Sequence, residues 1–151
     1  MDNNEFCLEE IQDAMKTVLE SGGEFRFYPK GRSMLPLIRQ GLDSISLVAV
    51  DGPLKKYDIP LYVRSNGQFV LHRVVGVDSD GYIMCGDNQL SLEHGILSNQ
   101  IRARVCAIFR QNRRIDVTNP MYVLYCKIWC YIPFRRIILF VKRVFRKLFR
   151  R

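Results

Sequence analysis

Residues 57–88 read YDIPLYVRSNGQFVLHRVVGVDSDGYIMCGDN, three apolar runs separated by two turns. Ser65-Asn66-Gly67 and Ser79-Asp80-Gly81 are the turns, because Asn and Gly tolerate the backbone angles that hairpins need. The runs between them, Ile59–Arg64, Phe69–Val77 and Tyr82–Cys85, are too short and too rich in Val, Ile, Tyr and Phe for helices. They are expected to be antiparallel strands. The hairpin at Ser79–Gly81 then places the strand that carries His72 beside the strand that leads into Gly86-Asp87-Asn88.

Working outward, Glu24–Pro29, Asp43–Val50, Ile101–Arg110 and Ile115–Val117 have the same character. The expected fold class is mainly β. A helix is expected before the strands, over Leu8–Leu19, where Leu8, Ile11, Met15, Val18 and Leu19 recur at three- and four-residue steps. Ser21-Gly22-Gly23 should end it. One helical turn is expected between Leu35 and Arg39.

Gly31-Arg32-Ser33-Met34-Leu35-Pro36 interrupts the strand pattern. Gly31 accepts backbone angles that a side chain would block, and Pro36 restricts both itself and Leu35. Ser33 therefore sits on a constrained, partly open segment. A lone serine there is an ordinary turn residue. His72 and the acidic turn at Asp87 give it company, since a hydroxyl, an imidazole and a carboxylate are the parts of an activated serine nucleophile. His94, after Glu93, is the rival base and reads as a solvated loop histidine.

Charge is unevenly distributed. The formal net charge is +8, yet residues 1–120 hold 14 Lys and Arg against all 15 Asp and Glu, and residues 121–151 hold 9 basic residues and no acid. Asn119-Pro120 is the expected boundary between body and tail. Over residues 134–151 Phe134, Ile137, Ile138, Val141, Val144, Phe145 and Leu148 share one half of a helix, and Arg and Lys fill the other except for Leu139. An apolar half with aromatics opposite a purely basic half describes a helix lying in a membrane interface. Peripheral membrane contact through residues 121–151 is expected, ahead of nucleic acid, which is not expected as a partner. The acidic start MDNNEFCLEE does not read as a secretory signal, and no uncharged apolar run approaches the roughly 20 residues of a membrane span.

Five cysteines, an odd number without a CxxC pair, speak against a disulfide framework or a zinc site. No metal and no cofactor are expected. A reducing compartment is, so the expected location is cytoplasmic or peripheral at the cytoplasmic face of a membrane.

GRSMLPLIRQG (31–41) and YDIPLYVRSNGQFVLHRVVGVDSDGYIMCGDNQ (57–89), in this order, resemble the signal peptidase I family. The likeness spans roughly residues 25–110. It is nearer to the archaeal and endoplasmic-reticulum branch, in which histidine replaces the bacterial lysine base. The resemblance implies a signal-peptidase/self-cleaving-repressor-like β-ribbon domain. Together with the helix pattern before it and the boundary at Asn119-Pro120, this gives an N-terminal helix (1–23), a catalytic domain (24–118) and a basic amphipathic helical tail (119–151).

It implies a serine endopeptidase acting on a peptide or preprotein substrate, cleaving leader or signal-type peptides. Ser33 would be the nucleophile and His72 the base. Two acids compete to orient His72: Asp87 of the GDN motif, and Glu93, about where the endoplasmic-reticulum branch places its aspartate. The Ser33 backbone N–H is the natural oxyanion donor. Many bacterial relatives add a serine hydroxyl two residues before the nucleophile, and Gly31 stands there instead. The alternative is a catalytically inactive peptidase-fold binding or regulatory module held at the membrane surface. The self-cleaving repressor branch fits less well, because it lacks GDN and uses lysine. A peptidase held by its tail at the inner membrane face could also trim leaders of small modified peptides.

Overall fold

The computed structural model describes residues 8–131, 137–141 and 144. Its fold is mainly β, with a short helix first and a second helix last. Helix α1 (Leu8–Glu20) turns Met15 and Leu19 into the core. It stops because Gly22 takes a φ of 77°, which lets the Gly22 and Gly23 N–H groups cap the Leu19 and Val18 carbonyls at 3.0 and 2.9 Å.

Nine strands follow among the described residues: β1 (Phe25–Phe27), β2 (Asp43–Val48), β3 (Pro60–Val63), β4 (Phe69–Leu71), β5 (Arg73–Asp78), β6 (Gly81–Cys85), β7 (Glu93–Ile96), β8 (Ile101–Arg110) and β9 (Arg113–Asp116). The longest, β8, organises the larger sheet, whose order is β1-β2-β8-β3-β4 with β9 also on β8. One edge of β8 pairs with β2; the other takes β3 at Ile101–Arg104 and β9 at Ala107–Arg110. The smaller sheet is β5-β6-β7. All pairings are antiparallel, as short turn-linked strands require.

The run Phe69–Val77 differs from its expected form in a way that matters. It is two strands in two sheets. Leu71 pairs with Leu61 in the larger sheet, whereas Arg73 pairs with Cys85 in the smaller one. His72 is the residue at the changeover. The Val74 N–H donates to the Asp58 carbonyl at 2.8 Å and the Tyr57 N–H to the Val74 carbonyl at 2.9 Å, tying the second strand back beneath the first sheet. The smaller sheet also gains β7, a strand not expected from the sequence. His94 accordingly stands on β7 and not in a loop. It is exposed, with Nδ1 3.0 Å from Asp78 Oδ2.

The helix α2 (Pro120–Trp129) starts where the boundary was expected. Asn119 caps it by accepting from the Met121 N–H at 2.9 Å, and Pro120 fits the first turn. The boundary itself needs correction. Tyr122 and Cys126 belong to the main core with Met34, Ile45, Leu61 and Val105, so residues 120–129 are part of the domain and not of a separate tail. The opposite side of α2 presents Met121, Leu124 and Ile128 to solvent, continued by Tyr131. Of the expected amphipathic tail, residues 137–141 and 144 are helical, with Ile137, Phe140, Val141 and Val144 exposed. The whole expected basic face, with Phe134, Phe145 and Leu148, and residues 1–7 of the N-terminal segment lie outside the described residues. Among the described residues no helix is long and apolar enough to cross a membrane.

Candidate active site

Ser33 sits on the turn after β1. Its segment is pinned on both sides. Gly31, at φ 103°, donates its N–H to the Gln40 side chain at 3.1 Å. Beyond it the Asn88 backbone N–H donates to the Ser33 carbonyl at 2.7 Å, and the Asn88 side chain to the Arg32 carbonyl at 3.2 Å. One helical turn follows, closed by Ile38 N–H to Met34 O at 2.9 Å. Its far end is fixed by buried Asp43, which accepts two side-chain bonds from Arg39 at 3.0 and 2.7 Å, while Arg110 caps the Leu37 carbonyl at 2.7 Å. Ser33 is half-buried on a stiff support.

Ser33 and His72 line one open cavity of about 370 Å³, together with Gly31, Arg32, Leu71 and Gln89. The expected pair is thus brought to one place from two elements. The hydroxyl and the ring make no hydrogen bond to each other; such bonds in a free site commonly tighten only when substrate arrives.

The two candidate acids separate. Asp87 is fully buried and faces Arg73, which donates from Nε at 2.8 Å and from a terminal nitrogen at 2.7 Å. Arg73 also donates to the Tyr57 carbonyl, the Tyr122 hydroxyl and Cys126 Sγ, at 3.0, 3.1 and 3.0 Å. The Trp129 indole N–H donates to the Asp87 carbonyl at 3.0 Å. Asp87 is therefore committed to holding the GDN turn against α2. Gly86 explains the glycine of that motif: a Cβ there would fall 2.8 Å from the Ser33 carbonyl oxygen and 3.1 Å from Ser33 Cβ. The turn is the floor beneath the serine.

Glu93 reaches the imidazole from β7. Its Oε2 lies 3.9 Å from His72 Nδ1, too far for a hydrogen bond. Tyr62, a fully buried residue of β3, fills the gap. Its hydroxyl donates to Glu93 Oε2 at 2.8 Å and lies 3.2 Å from His72 Nδ1. A phenol has one proton, and here it goes to the carboxylate. The oxygen must then accept from the ring, so Nδ1 carries hydrogen and Nε2 keeps its lone pair. Arg64 grips Glu93 from the other side, at 2.8 and 2.6 Å. Sequence reading missed Tyr62 because an apolar-patterned strand hides its polar residue among core positions.

The electrostatics agree with this assignment. Burial holds the His72 pKa below its ordinary value of 6.5; Glu93 opposes that shift and Arg64 adds to it. The ring is neutral at neutral pH, as a base must be. The Arg64 hydrogen bond keeps the Glu93 carboxyl below its usual range despite partial burial, so it stays ionised. Burial, then Glu93, pushes the Tyr62 hydroxyl well above the usual phenol value, so it keeps its proton.

Among the described residues no group of three His, Cys, Asp or Glu side chains could hold a metal ion. The larger cavity, about 600 Å³ between α1 and the sheet, is lined by Met15, Leu19, Val50, Leu54 and Tyr82 and includes none of the four candidate residues. No protein-family model matches the chain, and neither a curated protein nor a solved structure does so.

Proposed function

We propose that this protein is a serine endopeptidase of the kind its motifs resemble, signal peptidase I in its histidine-based branch. The fold would then be that family's β-ribbon domain. One observation carries the reading: Ser33 and His72 share a cavity, and the Tyr62–Glu93 pair engages His72 through Nδ1, so that Nε2 is the ring nitrogen left to act as the base.

In the reaction, the Ser33 hydroxyl adds to the scissile carbonyl carbon as His72 Nε2 takes its proton. The imidazolium, supported by Tyr62 and Glu93, returns that proton to the leaving amine as the C–N bond breaks. Water then adds to the acyl-enzyme with the same ring as base, releasing the acid and restoring Ser33. The Ser33 backbone N–H is the first oxyanion donor. β4 is last in the strand order of its sheet, and Gln68–Leu71 line the cavity, so an extended peptide can pair along that strand and cross the serine. Leader or signal-type peptides fit such a site.

A fluorophosphonate probe tests the chemistry without knowledge of the substrate. The wild type should gain one adduct, mapped to Ser33, and Ser33→Ala and His72→Gln should not. A wild type inert to the probe and to a broad peptide library would favour the second reading, a binding module that kept the fold. Gly31 favours that reading, since it removes one familiar oxyanion donor.

The membrane surface is the proposed partner of the C-terminal region, at the cytoplasmic face. The exposed apolar residues of α2 and Ile137, Phe140, Val141 and Val144 support it, beside 9 basic residues without an acid. Each cation near an anionic leaflet contributes about 1 kcal/mol. Flotation with anionic vesicles should carry the protein at low salt; no binding there would reject this placement.

A further inference from the structure

We infer that the Gln89 side-chain amide is the second oxyanion donor, in the role that Gly31 cannot fill. The inference rests on the peptidase reading. Gln89 follows the GDN turn directly, and its side chain and Ser33 line the same cavity.

The space at Gly86 fixes how close they are. The point where a Cβ would stand on Gly86 is 2.9 Å from Gln89 Oε1 and 3.1 Å from Ser33 Cβ. The amide head and the carbon bearing the nucleophile are thus no more than 6.0 Å apart, the two distances laid end to end. An oxyanion formed on a carbonyl attacked by the serine oxygen is two bonds from that oxygen, which puts it within reach of a donor carried on the Gln89 side chain. A donor must come within about 3 Å of it.

The backbone of Gln89 is held. Its N–H donates to the Gly86 carbonyl at 3.0 Å, and its carbonyl accepts from Cys85 Sγ at 3.6 Å. Its side chain has no hydrogen-bond partner among the described residues, and an unengaged amide beside a nucleophile has two N–H donors to offer. A half-turn of the terminal torsion exchanges oxygen and NH2, and that torsion has two broad, similar wells. The amide can therefore present a donor without moving its chain.

The reason such a donor is needed is also local. A tetrahedral intermediate concentrates a full negative charge on one oxygen, and a single backbone N–H leaves half of the usual pair missing. Ser33, Gly86 and Gln89 are fixed by the same turn, so a donor from Gln89 keeps its aim when the serine is placed correctly. Loss of one such donor costs about 100- to 1,000-fold in kcat.

The test compares wild type, Gln89→Ala and Gln89→Glu on a peptide that the wild type cleaves and on a peptide aldehyde built on its acyl side. The aldehyde forms a tetrahedral adduct with Ser33 and so reads oxyanion stabilisation directly. For Gln89→Ala we expect kcat to fall about 100-fold or more, with KM and melting temperature nearly unchanged and aldehyde affinity reduced in parallel. Gln89→Glu, nearly isosteric and lacking the donor, should be as poor at neutral pH. Binding of the uncleaved peptide to Ser33→Ala and to Ser33→Ala/Gln89→Ala should be equal. Unchanged kcat and aldehyde affinity in Gln89→Ala would overturn the assignment, and so would a loss confined to KM. Absence of cleavage and of Ser33 labelling in the wild type would instead remove the peptidase reading, and this inference with it.

Discussion

The Tyr62 hydroxyl stands between His72 and Glu93, 3.2 Å from the ring Nδ1 and 2.8 Å from the carboxylate. The carboxylate thus reaches the imidazole through a phenol. Tyr62→Phe keeps the ring in its place and deletes the bridge. We expect kcat/KM to fall about tenfold to a hundredfold, because the imidazolium loses its support. Stability should drop by about 1–2 kcal/mol, since Arg64 still satisfies Glu93. Kinetics and urea unfolding on the same preparation check both halves; an unchanged rate would remove Tyr62 from the proton path.

The acid limb of activity should report His72. Burial lowers its pKa below 6.5 in the folded chain, so the active neutral ring persists to more acidic pH than a free histidine would allow. The stability consequence has a definite sign. Between 6.5 and the lower native pKa the unfolded chain binds the proton more readily than the native one does. Stability attributable to His72 therefore falls as pH drops through that window and is level above it. Unfolding followed from pH 8 to 5 should show this slope, and His72→Gln should flatten it.

Arg73 and Asp87 are both fully buried, and each is the other's countercharge. Arg73→Met strands a carboxylate in the core and should cost about 3–5 kcal/mol. Arg73→Met/Asp87→Leu removes both charges and should recover much of that loss. A double-mutant cycle measures the coupling. A mild effect of Arg73→Met would contradict the structural role given to Asp87.

Gly86→Ala puts a methyl 2.8 Å from the Ser33 carbonyl oxygen, which is backbone and cannot swing aside. The serine turn has to shift. Activity and probe labelling should fall more than tenfold, while overpacking costs about 1–3 kcal/mol. Labelling at the wild-type rate would mean that the turn does not set the position of Ser33.

The sequence was informative where pattern and order suffice. The Asn-Gly and Asp-Gly turns announce the hairpins, and motif order points to Ser33 and His72 as partners. It was silent where a choice depends on which residue crosses from another strand. Asp87 and Glu93 both follow β6, and only the pairing of Met84 with Glu93 on β7 carries the second acid round to Tyr62. β7 itself escaped notice because Leu92-Glu93-His94-Gly95-Ile96 has no clean alternation, and Gly95 reads as a breaker. The break at His72 was invisible because a continuous apolar run does not reveal a change of partner strand. Asn119-Pro120 reads as a domain edge because a helix cap and a linker use the same residues. The aromatic positions of α2 become core only once Arg73 is known to lie beneath them.

The contact between α2 and the GDN turn has a mechanical consequence. Trp129 grips one side of residues 86–88, and the other side grips the serine turn. A displacement of α2 is therefore passed to the Ser33 turn through two short contacts. Removing everything after residue 119 would uncover the buried Arg73–Asp87 pair and loosen the turn that carries Ser33. A surface that seats α2 firmly would also steady the turn that carries Ser33.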